Sequence, residues 1–293
     1  MGKIKSAPYV VNVQDLFPQN AIDLGVVNNS VLIRVFEALE RFVYRTSKAL
    51  TVHSTGNREH LLEKGTAPEK VQVIHNWVDT EFIQPGEKSN KFREEHGLGD
   101  KFVVSFAGTM GYSQDMEIIL KAAHRLEDKS DILFLFVGEG LKREDTESEA
   151  QELGLTNTLF LPLQPRERYP EVLNASDISL VTLTKEVETP VVPSKLLSIM
   201  ASGRPVVASM NPNGDAPRLI DDAECGIYVS PGDVKGFTEA ITDLYEDDSL
   251  REQMGTNGRQ YAVDNLSRKV QVKKYERLFE RVACRDRKEG GSG

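Results

Sequence analysis

The sequence is poor in cysteine and in long apolar runs, and each shortage excludes a class of protein. Its two cysteines, Cys225 and Cys284, stand far apart with no metal-ligating partner nearby. We therefore expect isolated thiols in a reducing compartment and no disulfide scaffold. The longest wholly apolar run, Ile132 to Val137, is far shorter than the ~20 residues of a membrane-spanning helix. With no signal peptide ahead of the first strand-like run, we expect a cytoplasmic protein.

Basic residues are also in deficit. The chain carries 36 Lys and Arg against 45 Asp and Glu, a formal net charge of −9, which disfavours a dedicated nucleic-acid binder. A composition of 39% hydrophobic and 28% charged residues excludes a disordered or fibrous chain. The length of 293 residues favours two domains over one.

Strand-like and helix-like segments alternate along the whole chain, which predicts an α/β fold with layered parallel sheets. The first series includes a helix from about Ser30 to Thr46, whose apolar face carries Val31, Val35, Leu39 and Phe42. A polar stretch, Gln84 to Asn90, separates it from the second series, whose strands begin at Phe102. We predict an incomplete first domain at 1–82, a complete nucleotide-binding-type domain at 83–265, a final helix at 266–284 and a flexible tail at 285–293.

Three transitions from strand to loop in the second series can carry chemistry, because open α/β sheets bind ligands at the carboxyl ends of their strands. They are Gly108-Thr109-Met110-Gly111, then Gly138-Glu139-Gly140 with Lys142 behind it, and the helix start at Ser194-Lys195. Glycines let backbone amides approach a phosphate, and a helix start with a lysine adds positive charge. The plain alternatives are two tight turns and a well-capped helix with a surface lysine.

The order of these motifs resembles that of a known family. Gly108-x-x-Gly111, Phe136-Val137-Gly138-Glu139-Gly140, Pro193-Ser194-Lys195 and Ala201-Ser202-Gly203-Arg204-Pro205 together are similar to the donor domain of retaining GT-B glycosyltransferases. The resemblance is to the glycosyltransferase group 1 family, and within it to a Pro-Ser-Lys subgroup of surface-polysaccharide and aminosugar transferases. It covers about Pro8 to Val282 and implies a GT-B-like fold with two Rossmann-like domains.

The resemblance assigns roles to these residues. The loop at Gly108, Thr109 and Gly111 and the helix start at Ser194 and Lys195 would hold the donor diphosphate. Gly138, Gly140 and the segment Phe160 to Gln164 would line the sugar-nucleotide cleft, and Lys142 would assist Lys195 as a cation. The family's pair of glutamates falls on Pro190 and Ser198, so Ser198 would meet the ribose, while Glu186 and Glu188 are the candidates for the missing first carboxylate. The basic pair after the glycine loop is replaced by Gln114 and Asp115.

Two further features bear on the chemistry. No two aspartates are spaced Asp-x-Asp, the manganese-binding pattern of the other major glycosyltransferase fold, so we expect a site without metal or resident cofactor. Full-length relatives carry about a hundred further residues ahead of the first strand, so we expect a chain that lacks the first part of its acceptor domain. Such a chain would bind nucleotide but turn over poorly, unless a partner chain supplied the missing part.

The expected function is transfer of a sugar from a UDP-, GDP- or ADP-linked donor to a saccharide or lipid-linked acceptor, with retention of anomeric configuration. A non-catalytic nucleotide-sugar-binding subunit and a sugar-nucleotide epimerase are the alternatives. The basic final segment, Arg268 to Lys288, has three interpretations: a solvated surface, a helix that returns to the first domain, or a peripheral contact with the inner face of the plasma membrane.

Overall fold

The computed structural model describes residues 7–23, 27–187 and 190–290. They form two units, the first from the described parts of Met1–Trp77, Glu188–Val192 and Leu266–Gly293, and the second from Val78–Val187 and Pro193–Asn265. Among the described residues, no helix has the length and apolarity to cross a bilayer.

The strands are β1 (Val10–Val13), β2 (Ala49–Val52), β3 (Val71–Val73), β4 (Phe102–Ala107), β5 (Ile132–Val137), β6 (Thr158–Leu161), β7 (Ile178–Thr182), β8 (Val206–Ser209) and β9 (Gly226–Val229). The helices are α1 (Gln19–Asp23), α2 (Ser30–Thr46), α3 (Thr55–Glu63), α4 (Lys91–Glu95), α5 (Glu117–Arg125), α6 (Arg143–Glu152), α7 (Tyr169–Asn174), α8 (Ser194–Ala201), α9 (Asp215–Ala223), α10 (Val234–Glu246), α11 (Asp248–Tyr261) and α12 (Arg268–Gly290). Short 3₁₀ turns at Pro68–Lys70 and Arg166–Arg168 and a π turn at Ala262–Leu266 complete the description.

The first unit contains a parallel sheet of order β1-β2-β3, with Val10 opposite Ala49 and Leu50 opposite Val71. One face buries Val13, Leu50 and Leu61, and the other buries Ala49 and Ile74 against Leu278 and Val282 of α12. The final helix therefore packs on the sheet of the first unit. It begins at Arg268 and ends at Gly290, whereas the sequence predicted a helix over 266–284 and a tail from 285.

The second unit contains a six-stranded parallel sheet of order β6-β5-β4-β7-β8-β9. Apolar side chains fill both of its faces, as expected of a parallel sheet covered by helices on each side. At the amino ends of the central strands, the buried Asp177 accepts hydrogen bonds from the Val103 amide (2.8 Å) and the Arg93 guanidinium (3.1 Å), and it pairs with Lys88. The loops that carry the predicted site lie at the opposite, carboxyl edge of the sheet.

The sequence analysis did not predict helix α11, because two glycines, not apolar side chains, form its contacts with the rest of the second unit. A Cβ at Gly255 would overlap the Gly203 carbonyl, and a Cβ at Gly258 would lie 2.9 Å from the Cβ of Cys225. Two glycines inside a helix lower helix propensity and remove the apolar periodicity from which helices are recognised. Arg259 completes the contact by donating to the carbonyls of Ile83 and Ala201, both at 2.8 Å.

Candidate functional site

Two glycine loops lie side by side at the carboxyl edge of the second sheet. The Gly108 amide donates to the Val137 carbonyl, the Met110 amide to the Glu139 carbonyl, and the Lys142 amide to the Met110 carbonyl, each at 2.9 Å. Gly108, Gly138 and Gly140 adopt φ values of 143°, 153° and 145°, a region that only glycine occupies readily. The backbone hydrogen bonds therefore fix both loops after β4 and β5 in one position.

The close approach of these loops explains the glycines of the second one. A Cβ at Gly138 would overlap the Gly108 carbonyl oxygen, and a Cβ at Gly140 would overlap that of Met110. Gly138 and Gly140 are thus required by backbone packing. Gly108 differs, because a Cβ there would lie 3.3 Å from both Cε and Nζ of Lys195. Its missing side chain leaves the place that the lysine occupies.

The ammonium group of Lys195 is buried inside the second unit, against an aromatic ring. Its ammonium lies 3.5 Å from the centroid of the Phe106 ring, and its Nζ is buried without a hydrogen-bond partner among the described residues. Burial lowers the pKa of Lys195 to about 7. A ring face attracts a cation but replaces only part of the lost hydration. No carboxylate of the described residues forms an ion pair with this ammonium. An anion placed beside it would restore the charged form.

Helix α8 begins next to that ammonium. It starts at Ser194, and Pro193 stands at the N-cap position, where no side chain caps the helix. The first amides of a helix have no intrahelical acceptor, and they add positive potential at this end. Ser194 is exposed at the same turn. Gly108, Ser194 and Lys195 thus bring an amide-rich loop, a helix start and a buried cation together.

Other predicted residues have partners of their own. The Gly111 amide donates to Gln114 Oε1 (2.9 Å), within the first loop. Lys142 pairs with Asp145 (3.3 Å) at the surface, and its ammonium lies 5.4 Å from the centroid of the Tyr112 ring. Thr109, in contrast, is exposed beside Gly108. Lys142 is therefore drawn toward its own helix by a carboxylate three residues later.

Ser198, predicted to meet the ribose, forms a hydrogen bond to the Tyr169 hydroxyl. Burial raises the pKa of Tyr169 to about 12, although the Ser198 bond acts in the opposite direction. The Ser198 oxygen keeps lone pairs for a second hydrogen bond. The segment Phe160 to Gln164 divides its roles, since Phe160 stacks on Phe136 in the core, with ring centroids 4.4 Å apart, and Leu163 is exposed.

The candidate carboxylates are less well defined by their contacts. Glu186 is exposed on the loop after β7, near Asp115 at the start of α5. Burial raises the pKa of Asp115, the Ile118 amide lowers it, and the charges of Glu117 and Glu186 raise it further. Glu188 lies outside the described residues.

Phe106 and Tyr169 take part in this arrangement although their sequence context did not reveal them. Phe106 stands two residues before Gly108, and alternate residues of a strand share a face, so the ring and the glycine lie under the same side chain. That spacing was the available signal for Phe106. Tyr169 had none, because its contact with Ser198 joins two separate helices.

Residues 88–261, more than half of the chain, match the sequence profile of glycosyl transferases group 1. The chain belongs to the glycosyl transferases group 1 family. Residues 2–77 match a second profile, that of a glycosyl transferase 4-like domain. The glycine loops and the α8 start described above all lie within the group 1 match.

The relatives of this glycosyl transferase are longer than this chain. It is 26% identical over 282 residues to a protein of Escherichia coli named as a colanic acid biosynthesis glycosyl transferase, WcaI, covering 94% of this chain and 68% of that protein. It is 26% identical to the glycosyltransferase WbjE of Pseudomonas aeruginosa, covering 91% and 66%. The chain thus spans about two thirds of the length of these relatives.

Solved structures share the fold of this group 1 member. HepE of Anabaena, in a crystal structure with UDP, matches with a TM-score of 0.78 at 20% identity, covering 97% of this chain and 74% of that one. WaaG, a glycosyltransferase involved in lipopolysaccharide biosynthesis, matches with a TM-score of 0.68 at 19% identity, covering 88% and 71%. The predicted fold class, α/β and GT-B-like with parallel sheets, is confirmed.

Proposed function

We propose that the second unit binds a nucleotide-diphosphate sugar, and that the protein transfers the sugar to an acceptor hydroxyl with retention of anomeric configuration. Family membership supports transferase chemistry. The names of WcaI, for colanic acid biosynthesis, and of WaaG, for lipopolysaccharide biosynthesis, favour a surface polysaccharide or glycoconjugate as the product. A UDP-linked donor is the first to test, because HepE has been crystallised with UDP and with UDP-glucose.

The observation that carries the proposal is the buried Lys195 ammonium, which has no hydrogen-bond partner among the described residues. A protein maintains such a group at a cost in stability, because desolvation disfavours its charged form. A diphosphate brings two negative charges and several acceptor oxygens, so it would supply the missing hydrogen bonds. Charge-assisted hydrogen bonds of this kind are among the strongest in proteins.

The surroundings of Lys195 suit that ligand. Gly108 presents its backbone close to the ammonium, without a side chain between them, and Thr109 is exposed next to it. The uncapped start of α8 adds the positive end of a helix at Ser194. We propose that Gly111, Gly138, Gly140, Lys142 and Ser198 shape or line the remainder of the sugar-nucleotide site.

The proposed reaction breaks the bond between the anomeric carbon and the diphosphate oxygen and forms one between that carbon and the acceptor oxygen. The bonding electrons leave with the diphosphate, and the acceptor proton goes to the departing phosphate oxygen. Negative charge on the leaving group grows toward the transition state, where Lys195 and the α8 amides stabilise it electrostatically. In this scheme neither a metal ion nor a resident cofactor has a role.

Two carboxylates and the acceptor complete the proposal. Glu186 or Glu188 would lie near the sugar, in place of the carboxylate that the family has at Pro190. The acceptor is a saccharide or a lipid-linked saccharide, and the reaction takes place in the cytoplasm. The chain binds no nucleic acid in this account, consistent with its charge of −9.

A thermal-shift screen with UDP-glucose, GDP-mannose and ADP-glucose tests the first half of this function. A ligand at 100 times its Kd adds about 2.7 kcal/mol to the free energy of unfolding, so at least one donor should raise the Tm by several degrees. NMR of the glycoside product then reports its anomeric configuration. An inverted product would contradict the retaining mechanism, and no shift with any donor would contradict nucleotide-sugar binding itself.

A further inference from the structure

Arg259 of helix α11 is a partly buried arginine that holds backbone carbonyls of two separate segments. Its guanidinium donates to the carbonyl oxygens of Ile83 (2.8 Å), Ala201 (2.8 Å) and Thr80 (3.1 Å). Burial lowers the pKa of Arg259, and none of these three acceptors carries a charge. A guanidinium presents its donors in a rigid, planar fork, so it can fix several carbonyls in one geometry.

The carbonyl of Ala201 is the last one of helix α8. The last four carbonyls of a helix have no partner inside it. The three carbonyls before Ala201 accept from the amides of Ser202 and Gly203, at 3.0 or 3.1 Å. Among the described residues, Arg259 supplies the partner for the fourth. A cation at this position also meets the negative end of the helix dipole, which stabilises the end of α8.

The other two carbonyls belong to the stretch that follows Trp77, where the chain passes from the first unit into the second. We call residues 79–86 the entry segment. Its first residues form a turn, in which the amides of Glu81 and Phe82 both donate to the Asp79 carboxylate at 3.2 Å. One guanidinium therefore joins this turn to the end of α8.

The opposite end of α8 carries the residues on which the proposed donor site depends. The helix begins at Ser194, and the next residue, Lys195, has the buried ammonium. Its eight residues make about two turns, and its ends lie about 12 Å apart at 1.5 Å per residue. A single short helix moves as a unit, so a displacement of its last turn also displaces its first.

We propose that Arg259 is a positioning residue of the donor site. By fixing the end of α8 on the entry segment, it sets where Ser194 and Lys195 stand beside the Gly108 loop. This inference rests on the proposed function, since it deepens the assignment of that same site. Arg259 itself contacts no part of the nucleotide sugar in this account. Because linkage is reciprocal, an occupied donor site should in turn order the entry segment.

Calorimetry of the full chain tests the positioning role with UDP-glucose, GDP-mannose or ADP-glucose, whichever raises the Tm of the wild type most. Arg259→Met keeps an unbranched side chain of similar length but removes all of its hydrogen-bond donors. It should weaken donor binding about tenfold. Arg259→Lys restores a cation at the end of α8 and should bind the donor within about threefold of wild type.

Proton uptake gives a readout that a loss of stability alone would not change. Burial lowers the pKa of Lys195 to about 7, so the wild type takes up protons when it binds a diphosphate at pH 8. A displaced α8 leaves Lys195 less buried and already charged in the free chain. The uptake at pH 8 should therefore fall by about half or more in Arg259→Met.

Arg251→Met is the matched control. Arg251 donates to the carbonyl of Leu244 in the last turn of α10 and pairs with Asp248, but α10 carries no residue of the proposed donor site. This variant should lose stability, yet its Kd for the donor should stay within about twofold of wild type. Its proton uptake should match that of the wild type.

Hydrogen exchange without nucleotide sugar separates this inference from the proposed function. In Arg259→Met, the amides of α8 and of residues 81–83 should exchange about tenfold faster than in wild type, and in Arg251→Met they should not. Added donor should slow exchange of the entry segment in wild type. A wild type that binds none of the three donors would contradict the proposed function, whereas unchanged exchange of α8 in Arg259→Met would overturn the positioning role. So would a Kd and a proton uptake in Arg259→Met that equal those of wild type, or an equal loss of affinity in Arg251→Met.

Discussion

Binding of a nucleotide-diphosphate sugar should make Lys195 take up a proton. Burial lowers the pKa of its ammonium to about 7 in the free protein, so at pH 8 about nine in ten molecules carry a neutral amine. A diphosphate beside the amine stabilises the charged form and raises that pKa again. Each binding event should then consume about 0.1 proton at pH 6, about 0.5 at pH 7 and about 0.9 at pH 8.

Isothermal titration calorimetry measures this uptake. Titrations with the donor selected in the thermal-shift screen are repeated in PIPES and in imidazole buffer, whose ionisation enthalpies differ, and the difference in binding enthalpy gives the number of protons bound. A diphosphate esterified at both ends has no group that titrates between pH 6 and 8, so the ligand itself contributes nothing. The affinity should also fall as the pH rises above 7, approaching tenfold per pH unit.

The control for this experiment is Lys195→Ala, which should show no proton uptake at any of the three pH values. Lys235→Ala, a change of an exposed lysine far along the chain, should keep the wild-type pattern. Equal uptake in wild type and in Lys195→Ala would refute the reasoning, as would wild-type binding without any uptake at pH 8.

Three other predictions concern stability. Gly138→Ala should destabilise the chain by about 3 kcal/mol or more in urea denaturation, because its Cβ would overlap the Gly108 carbonyl. The control Gly154→Ala, at φ 71° with open space around it, should cost about 1–2 kcal/mol. Equal losses for the two variants would contradict the loop contact. Asp177→Asn should lower the free energy of unfolding by about 3–5 kcal/mol, because it leaves the buried Arg93 without its counter-charge, whereas the exposed control Asp243→Asn should change it little. A loss below about 1 kcal/mol for Asp177→Asn would show that the network is not needed. The pKa of Lys195 is lower in the folded than in the unfolded chain, so the unfolded chain binds more protons between about pH 7 and pH 10.5. The free energy of unfolding of the wild type should therefore increase as the pH rises through that window, and Lys195→Met should lack this increase. Parallel curves of stability against pH for the two proteins would contradict the burial of a neutral amine.

Sequence patterns predicted the strands of the second sheet well, because buried parallel strands are continuous apolar runs. The predicted start of the second series at Phe102 is the start of β4, and the longest apolar run, Ile132 to Val137, coincides with β5. Helix α11 could not be predicted from periodicity, since its contacts are made by Gly255 and Gly258. The apolar face of α2 was recognisable, but its exposure depends on how the buried Glu40 and Tyr44 anchor the opposite side.

The candidate site was predictable only in part. A lysine at the start of a helix is visible in the sequence, and Lys195 was selected on that ground. Its burial over the Phe106 ring depends on how α8 packs beside β4, which no local pattern determines. Lys142 and Gly111 were selected by the same kind of pattern, but each has a partner, Asp145 and Gln114, that only the structure identifies.

The central claim is that the Lys195 ammonium holds the donor diphosphate. The most direct test is the Kd of the selected nucleotide sugar at pH 6.5, measured by calorimetry for wild type, Lys195→Ala and Lys235→Ala. A hydrogen bond to a charged group contributes about 1.5–3 kcal/mol, so Lys195→Ala should weaken binding roughly 10- to 150-fold, while Lys235→Ala should leave it unchanged. A Kd for Lys195→Ala within about twofold of wild type would contradict the claim.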